Sequence, residues 1–189
     1  MDEQELVRQI QEGDEMAFAE IVKIYKNRIV NYLYQLTGDY QKAVELSQET
    51  FMRVFFKANK YKPIAPFSSW IYTIALNLAR TEIRRAQKVS MVYLDDLQNI
   101  HKSGAFVSNP ADSGLSRNLR QALNSLHPRY KIPVVLKDME GFSLEEIAQV
   151  MKRPIGTIKA RINRGRNYLK KALEGAMRDK SEAPKNEES

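Results

Sequence analysis

Residues Ser143–Arg166 read SLEEIAQVMKRPIGTIKARINRGR. The first third is acidic and amphipathic, and the remainder carries a run of positive charge and no carboxylate. Ser143 followed three residues later by Glu146 has the pattern of a capping box, in which the serine closes the helix start and the glutamate reaches back. Leu144, Ile147, Ala148 and Met151 then share one face. Pro154 suits the first turn of a following helix, where its missing N–H costs nothing. Ile155, Ile158, Ile162 and Leu169 space out the buried stripe of that helix. Two short helices joined by a tight corner, the second of them basic, have the pattern of a helix-turn-helix.

Projected at about 100° per residue from Ile158, the second helix turns Thr157, Ala160, Asn163, Arg164 and Asn167 outward, flanked by Lys159 and Arg166. Arg161 falls beside the buried stripe, which suits a structural ion pair as well as a phosphate contact. From Lys152 to Lys171 there is no Asp or Glu. Such a face fits the DNA major groove, with arginine pairing to guanine and lysine to phosphate. It also fits a solvated basic face on a helical hairpin.

The rest of the chain sets the frame. It has 189 residues, 43% hydrophobic, with a formal net charge of +7, enough for one ordinary domain or two small ones. The basic balance favours an anionic partner, nucleic acid or an acidic membrane face. There is no cysteine and only two histidines, His101 and His127. Disulfides and thiolate metal sites are thereby excluded, and a His-based metal centre has little to build on. The start, MDEQELVRQI, lacks the apolar core of a signal peptide. No run of about 18 apolar residues occurs, so the chain reads as soluble and cytoplasmic.

Apolar residues recur at three and four, with little alternation. The spacing predicts helices over 3–12, 15–37, 39–58, 68–86, 115–126, 128–140, 143–151 and 154–175. Between 87 and 114 the sequence is polar with Gly104, Pro110 and Gly114, and reads as a linker. The end, DKSEAPKNEES, reads as a disordered tail. The expected fold is all-α: two small helical domains joined by a flexible linker, the C-terminal one a helix-turn-helix. The expected boundaries are 1–88, 89–114, 115–178 and 179–189.

The first domain carries two unusual helix faces. In DYQKAVELSQETFMRVFFKA, Ala43, Leu46, Thr50, Phe51, Val54 and Phe55 lie on the core side. Glu45, Gln48, Glu49, Met52 and Phe56 form a second stripe, which suits either a protein contact or a wide core edged by solvated acids. In FSSWIYTIALNLARTEIRR, Ile71, Ile74, Ala75 and Leu78 face inward. Thr73, Asn77, Arg80 and Arg84 line a polar face, suited to a nucleic-acid strand or simply to solvent. The preceding loop, NKYKPIAPFSSW, interleaves Lys60 and Lys62 with Tyr61, Phe67 and Trp70. Basic residues among aromatics suit unstacked single-stranded bases, and Phe67 or Trp70 could equally pack in the core.

Taken together, AVELSQETFMRVF, FSSWIYTIALNLARTEIRR and the span from Leu123 to Leu173 resemble a bacterial RNA polymerase sigma factor of the extracytoplasmic-function group of the sigma-70 family. The first segment looks like the core-enzyme-binding helix, usually A-E-D-L-x-Q-E-x-F, here opening on Ala43, Val44, Glu45 and Leu46. The second is similar to the helix that recognises the promoter −10 element, with Glu82 where Asp is common. The third resembles the −35-binding domain. It has Ala160 where Ser is frequent, His127 where Pro is common, and Pro133 inside a helix, where a kink is expected.

The resemblance implies a set of roles. Glu45, Gln48, Glu49 and Met52 would bind the β′ clamp helices of core RNA polymerase, with the β subunit a further partner. Lys60, Tyr61, Lys62, Phe67, Trp70, Thr73, Asn77, Arg80 and Arg84 would serve −10 recognition and melting, the loop capturing a flipped base. Arg153, Thr157, Lys159, Ala160, Arg161, Asn163, Arg164 and Arg166 would read the −35 element. The tether would thread the polymerase, with Asp95 and Asp96 imitating RNA phosphates or merely solvated. An anti-sigma factor, often membrane-anchored in this family, would be a further partner. No nucleophile–base pair, carboxylate pair or phosphate loop is legible, so the expectation is a protein that is not itself an enzyme, with no catalytic residue, metal, cofactor or small-molecule substrate. Two other readings suit parts of the pattern: a stand-alone dimeric regulator of duplex DNA, and a nucleic-acid-processing enzyme with an attached helix-turn-helix.

Overall fold

The computed structural model describes residues 2–96 and 114–181, with side chains at 2–87 and 118–175. Among the described residues eight α-helices follow one another: α1 Glu3–Gln11, α2 Glu15–Thr37, α3 Tyr40–Lys57, α4 Phe67–Asp96, α5 Gly114–Ser125, α6 Pro128–Val134, α7 Leu144–Met151 and α8 Ile155–Ser181. Among the described residues there is no strand. The all-helical expectation holds.

Local chemistry sets the helix ends in the first half. Asp14 caps α2 by accepting from the Met16 and Ala17 amides at 2.8 and 3.2 Å, and Asp39 caps α3 by accepting from Lys42 N at 3.0 Å. Side-chain caps of this kind satisfy amides that the first helical turn leaves without partners. Between them Gly38 (φ 76°) takes the left-handed conformation that closes α2. Two residues therefore suffice to reverse the chain, and α2 and α3 pack antiparallel. Helix α4 lies on both, and α1 rests on α2. Ile21, Ile29, Leu33, Ala43, Thr50, Ile71 and Ala75 are fully buried between them.

The second half begins where His127 caps α6, its Nδ1 accepting from Arg129 N at 3.2 Å. Pro133 lies within α6, and the turn that follows, Val135–Met139, widens to a π-turn. Proline has no N–H for the ladder and its ring crowds the carbonyl four residues back. The expected disturbance is thus a widening that ends the α-helix at Val134 and breaks the predicted 128–140 helix into two parts.

The capping box at α7 is present in both directions. Glu146 N donates to Ser143 Oγ at 3.1 Å, and Ser143 N donates to Glu146 Oε2 at 2.8 Å. The corner passes through Lys152 (φ 53°). Pro154 stands one residue before α8 rather than inside its first turn, and its carbonyl accepts from Ile158 N at 3.1 Å. Ile147, Ile158 and Ile162 are buried as expected, but Ile155 is 44% exposed.

Two boundaries move. Helix α4 continues past 86 through Asp96, so the segment read as a linker begins as helix, and α8 extends to Ser181. The remainder of the tether, with His101, and the final eight residues lie outside the described residues. Asp95 and Asp96 end α4, and their side chains also lie outside them.

The two halves touch. Helix α7 packs on α4, while α2 meets α5, α6 and the π-turn. This second cover explains why α4 buries Tyr72, Leu76 and Ala79 in addition to the stripe expected from its own periodicity.

Candidate polymerase and nucleic-acid interfaces

On α3, Glu45 and Gln48 are exposed, Glu49 is half-buried, and Met52 and Phe56 are 54% and 76% exposed. Ala43, Ser47, Thr50 and Val54 fill the opposite face. The acids are held locally: Lys42 Nζ donates to Glu45 at 2.5 Å and Arg53 Nε to Glu49 Oε1 at 2.7 Å. Exposed ion pairs of this spacing contribute only a few tenths of a kcal/mol, so both carboxylates can be re-paired at little cost. Beside them lies an apolar groove of about 510 Å³ between α2 and α3, floored by Phe18, Val22, Phe51 and Phe55 and rimmed by Met52, Phe56 and Gln48. Two large apolar side chains left in water beside a groove have the character of a protein-contact surface.

The loop before α4 takes the core-packing alternative at Phe67 and departs from expectation at Tyr61. Tyr61 and Phe67 are 8% and 3% exposed, so neither presents a free face for a base. They anchor the loop instead. Tyr61 Oη donates to Ala65 O at 2.7 Å, and its ring meets Phe67 edge-on at 5.4 Å. Gln11 Nε2 donates to the carbonyls of Ala58 and Tyr61 at 2.9 and 3.1 Å. Trp70 is half-buried against the same cluster. What the loop offers outward is Lys60, Lys62 and Ile64, the last 86% exposed. Aromatic content alone could not separate anchor from offered surface, because both roles use the same side chains.

Along α4, Asn77 and Arg84 are exposed. Thr73 is half-buried, with Oγ1 donating back to Ser69 O at 2.7 Å. Arg80 is half-buried. Burial, and then the like charges of Arg153, Arg84 and Arg161, push its guanidinium below the ordinary arginine value. Those four arginines and Asn77 line one cavity of about 690 Å³ between the halves, with Lys152 and Arg129 beside them and, among the described residues, no carboxylate in its lining. Arg161 lines this cleft and, among the described residues, has no ion-pair partner.

On α8, Lys159, Ala160, Asn163 and Arg164 are exposed, and Arg153 is exposed at the corner; Thr157 is half-buried. Ile158, Ile162 and Leu169 are buried behind them. Arg166 departs from expectation. Its Nε donates to Asp138 Oδ2 at 2.9 Å and its Nη2 to Asp138 Oδ1, a two-point pairing that raises the arginine further. Arg166 therefore ties α8 to the π-turn instead of facing outward unpaired. The acid stands 28 residues away in sequence, where no helical spacing could reveal it.

Two families of known sequence divide the chain at these surfaces. The sigma-70 region 2 family model matches residues 21–89 and the sigma-70 region 4 model residues 116–169. The ECF RNA polymerase sigma factor SigW of Bacillus subtilis is 34% identical over 178 residues, covering 88% of this chain and 94% of that protein. The ECF RNA polymerase sigma-E factor of Escherichia coli is 30% identical over 187 residues, covering 93% and 96%. The chain belongs to the ECF group of RNA polymerase sigma factors. A solved relative, the sigma factor RpoE of Bartonella quintana in complex with the anti-sigma factor NepR, superposes with a TM-score of 0.69 at 25% identity, over 83% of this chain and 96% of that one.

In this sigma factor the region 2 match holds α3 and most of α4, and the region 4 match holds α5 to the middle of α8. Two polar residues that sequence reading missed lie between those regions in space. Lys131 is 5% exposed, its ammonium donating to Leu36 O at 3.1 Å and Asn124 Oδ1 at 2.8 Å. Burial lowers it to about 8. Glu140 accepts from Tyr72 Oη, and burial raises its carboxyl against the opposing pull of Tyr72 and Arg28. Each partner stands 68 or more residues away, Asn124 excepted.

Proposed function

We propose that this sigma factor divides its work among three surfaces. The α3 stripe of Glu45, Gln48, Glu49 and Met52 grips the β′ clamp helices of core RNA polymerase. The face of Asn77, Arg80 and Arg84, with Lys60 and Lys62 on the loop, holds the −10 element. Thr157, Lys159, Ala160, Asn163 and Arg164 enter the −35 major groove, Arg153 and Arg161 flanking them as phosphate contacts. Polymerase supplies the chemistry and this chain supplies promoter choice and strand opening. It works in the cytoplasm, where core polymerase meets DNA.

One observation carries the reading. The outward face of α8 exposes Lys159, Ala160, Asn163 and Arg164 side by side, on a helix with no acid from Lys152 to Lys171. Ala160 leaves room for the helix to sit deep in a groove, and Arg164 carries the forked donor that pairs with guanine. The exposed Met52 and Phe56 beside the α3 groove support a large protein partner.

Extraction of a −10 base costs a few kcal/mol. With Tyr61 and Phe67 packed inside, stacking on aromatic side chains returns less of that cost than the loop sequence suggests. Contacts from Lys60, Lys62 and the polymerase make up the difference. The NepR complex of the Bartonella quintana relative supports an anti-sigma protein as the further partner.

Run-off transcription with core polymerase on genomic fragments, followed by start-site mapping, tests the assignment. Arg164→Ala should lose about 1–3 kcal/mol of −35 recognition and keep its affinity for core. Equal loss on every −35 sequence would make Arg164 a phosphate contact, and failure of the parent protein to direct initiation anywhere would overturn the reading.

A further inference from the structure

Arg153 and Arg161, which flank the proposed −35 surface, face the proposed −10 surface across one cavity. The elements they address are named for positions about 25 base pairs apart, roughly 85 Å of duplex at about 3.4 Å per pair. Two surfaces that close on a cavity of about 690 Å³ cannot both be seated on sites so far apart. The chain as folded is therefore a closed form, and promoter engagement requires the halves to separate.

The cavity itself does not hold them together. Arg80 and Arg84 on one wall oppose Arg153 and Arg161 on the other, and among the described residues no carboxylate lies beside them. The attraction must come from elsewhere, and the structure places it beside the cavity. Glu140, in the turn before α7, has a side chain only 9% exposed. It accepts from Tyr72 Oη of α4. Arg28 of α2 approaches the same carboxylate at 3.8 Å and donates to the Glu140 carbonyl at 3.4 Å. Phe142 closes over Tyr72, ring centroids 4.7 Å apart. Farther along α2, Lys131 donates to Leu36 O, and Arg120 donates to Tyr34 Oη at 2.9 Å.

We propose that Glu140, Tyr72 and Arg28 form an intramolecular latch that holds region 4 against region 2, covers part of the −10 face and keeps the free sigma factor from engaging a promoter. A carboxylate so enclosed is tolerable only while its partners stay in place, so the latch is closed or fully parted, with no stable halfway state. The latch rests on the assignment of both faces to promoter DNA.

The test uses the full chain. Because it contains no cysteine, Lys57→Cys and Lys171→Cys, both at exposed positions, accept a donor and an acceptor dye. Single-molecule energy transfer then counts closed and open molecules. Tyr72→Phe keeps the packed ring and removes only the hydroxyl; Glu140→Gln keeps the shape and removes the charge. Each should raise the open-to-closed ratio about ten-fold, and the two together should do little more than either alone, since they break one shared bond. Far-ultraviolet circular dichroism unchanged from the parent confirms that each variant is folded, and Arg28→Ala, at a half-exposed guanidinium, supplies a third break if either is not. An unchanged ratio in the folded variants, or a parent protein already open, overturns the latch. Run-off transcription by the same samples separates this from the functional reading. Initiation with an unchanged ratio sinks the latch alone, whereas absence of initiation from every template sinks the promoter assignment.

Discussion

Gly165 is where α8 comes nearest to α6, and replacing it by alanine gives a worked test of that crossing. A methyl at Gly165 would stand 2.6 Å from Val134 Cγ2, 3.3 Å from Tyr130 O and 3.4 Å from Tyr130 Cβ. Carbon atoms prefer roughly 3.5–4.0 Å, so the first contact is short by about 1 Å. Val134 is 3% exposed and β-branched, with one strongly preferred rotamer in a helix. The Tyr130 carbonyl is backbone and moves only with α6 itself. Overpacking of this kind costs about 1–3 kcal/mol, and the better helix propensity of alanine returns about 1 kcal/mol. The expected net effect is a loss of about 0–2 kcal/mol in urea unfolding. Gly175→Ala is the control, because a methyl there meets nothing within 4 Å; it should gain about 1 kcal/mol from propensity alone. Gly165→Ala combined with Val134→Ala should cost less than the sum of the two single changes by about 1 kcal/mol or more, since each makes room for the other. A Gly165→Ala protein as stable as the Gly175→Ala control, with no coupling to Val134, would refute the packing described here.

Three further outcomes follow from individual residues. Burial lowers Lys131 from 10.5 to about 8, so the unfolded chain binds this proton more tightly. Stability should therefore rise as pH climbs from about 8, by roughly 2–3 kcal/mol at pH 10. Lys131→Met should lack that rise in urea unfolding at each pH, and parallel curves for the two proteins would refute the assignment. Lys152→Gly should stabilise the corner by about 1 kcal/mol in thermal unfolding, because glycine takes φ 53° without the cost a side chain bears there, while Lys152→Ala should gain nothing. Glu49→Lys sets a cation beside Arg53, the present partner of Glu49. It should weaken binding to core polymerase in a pull-down while changing stability by under about 0.5 kcal/mol, and unchanged affinity for core would remove α3 from the interface.

The helix-turn-helix was legible because its signals are local. Ser143 and Glu146 stand three apart, and Ile158 and Ile162 four apart, so one helix contains all the information. The exposed stripe of Glu45, Gln48 and Met52 was legible for the same reason. Residues whose partners lie on another element were not. Lys131 reads as an ordinary surface lysine until the end of α2 arrives over it, and Arg166 reads as a phosphate contact until Asp138 is folded beneath it. Tyr61 and Phe67 belong to the same class: only the packing of the loop against α1 and α4 decides which way an aromatic faces. Helix α4 shows the effect on a whole face. Its own period hides Ile71, Ala75 and Leu78, while Tyr72 and Ala79 are buried because a second domain covers what a lone helix would leave in water.

The contrast between the two kinds of burial explains how one chain can be both well folded and able to open. Each half has an apolar interior of its own, with Ile21, Ile29 and Leu33 in one and Ile147, Ile158 and Ile162 in the other. Removing any of these side chains would cost about 2–5 kcal/mol. The junction combines apolar cover, Phe142 over Tyr72, with groups that ordinarily stay in water. Glu140, Arg28, Tyr72 and Lys131 must shed water to meet, and burying ionisable groups returns little beyond what their solvation gave up. The cations lining the cavity add a term that pushes outward. A junction whose attractions nearly balance its desolvation and repulsion can part without disturbing either core. A partner offering the Arg80 and Arg161 walls negative charge, as DNA does, then meets two domains that remain folded when they separate.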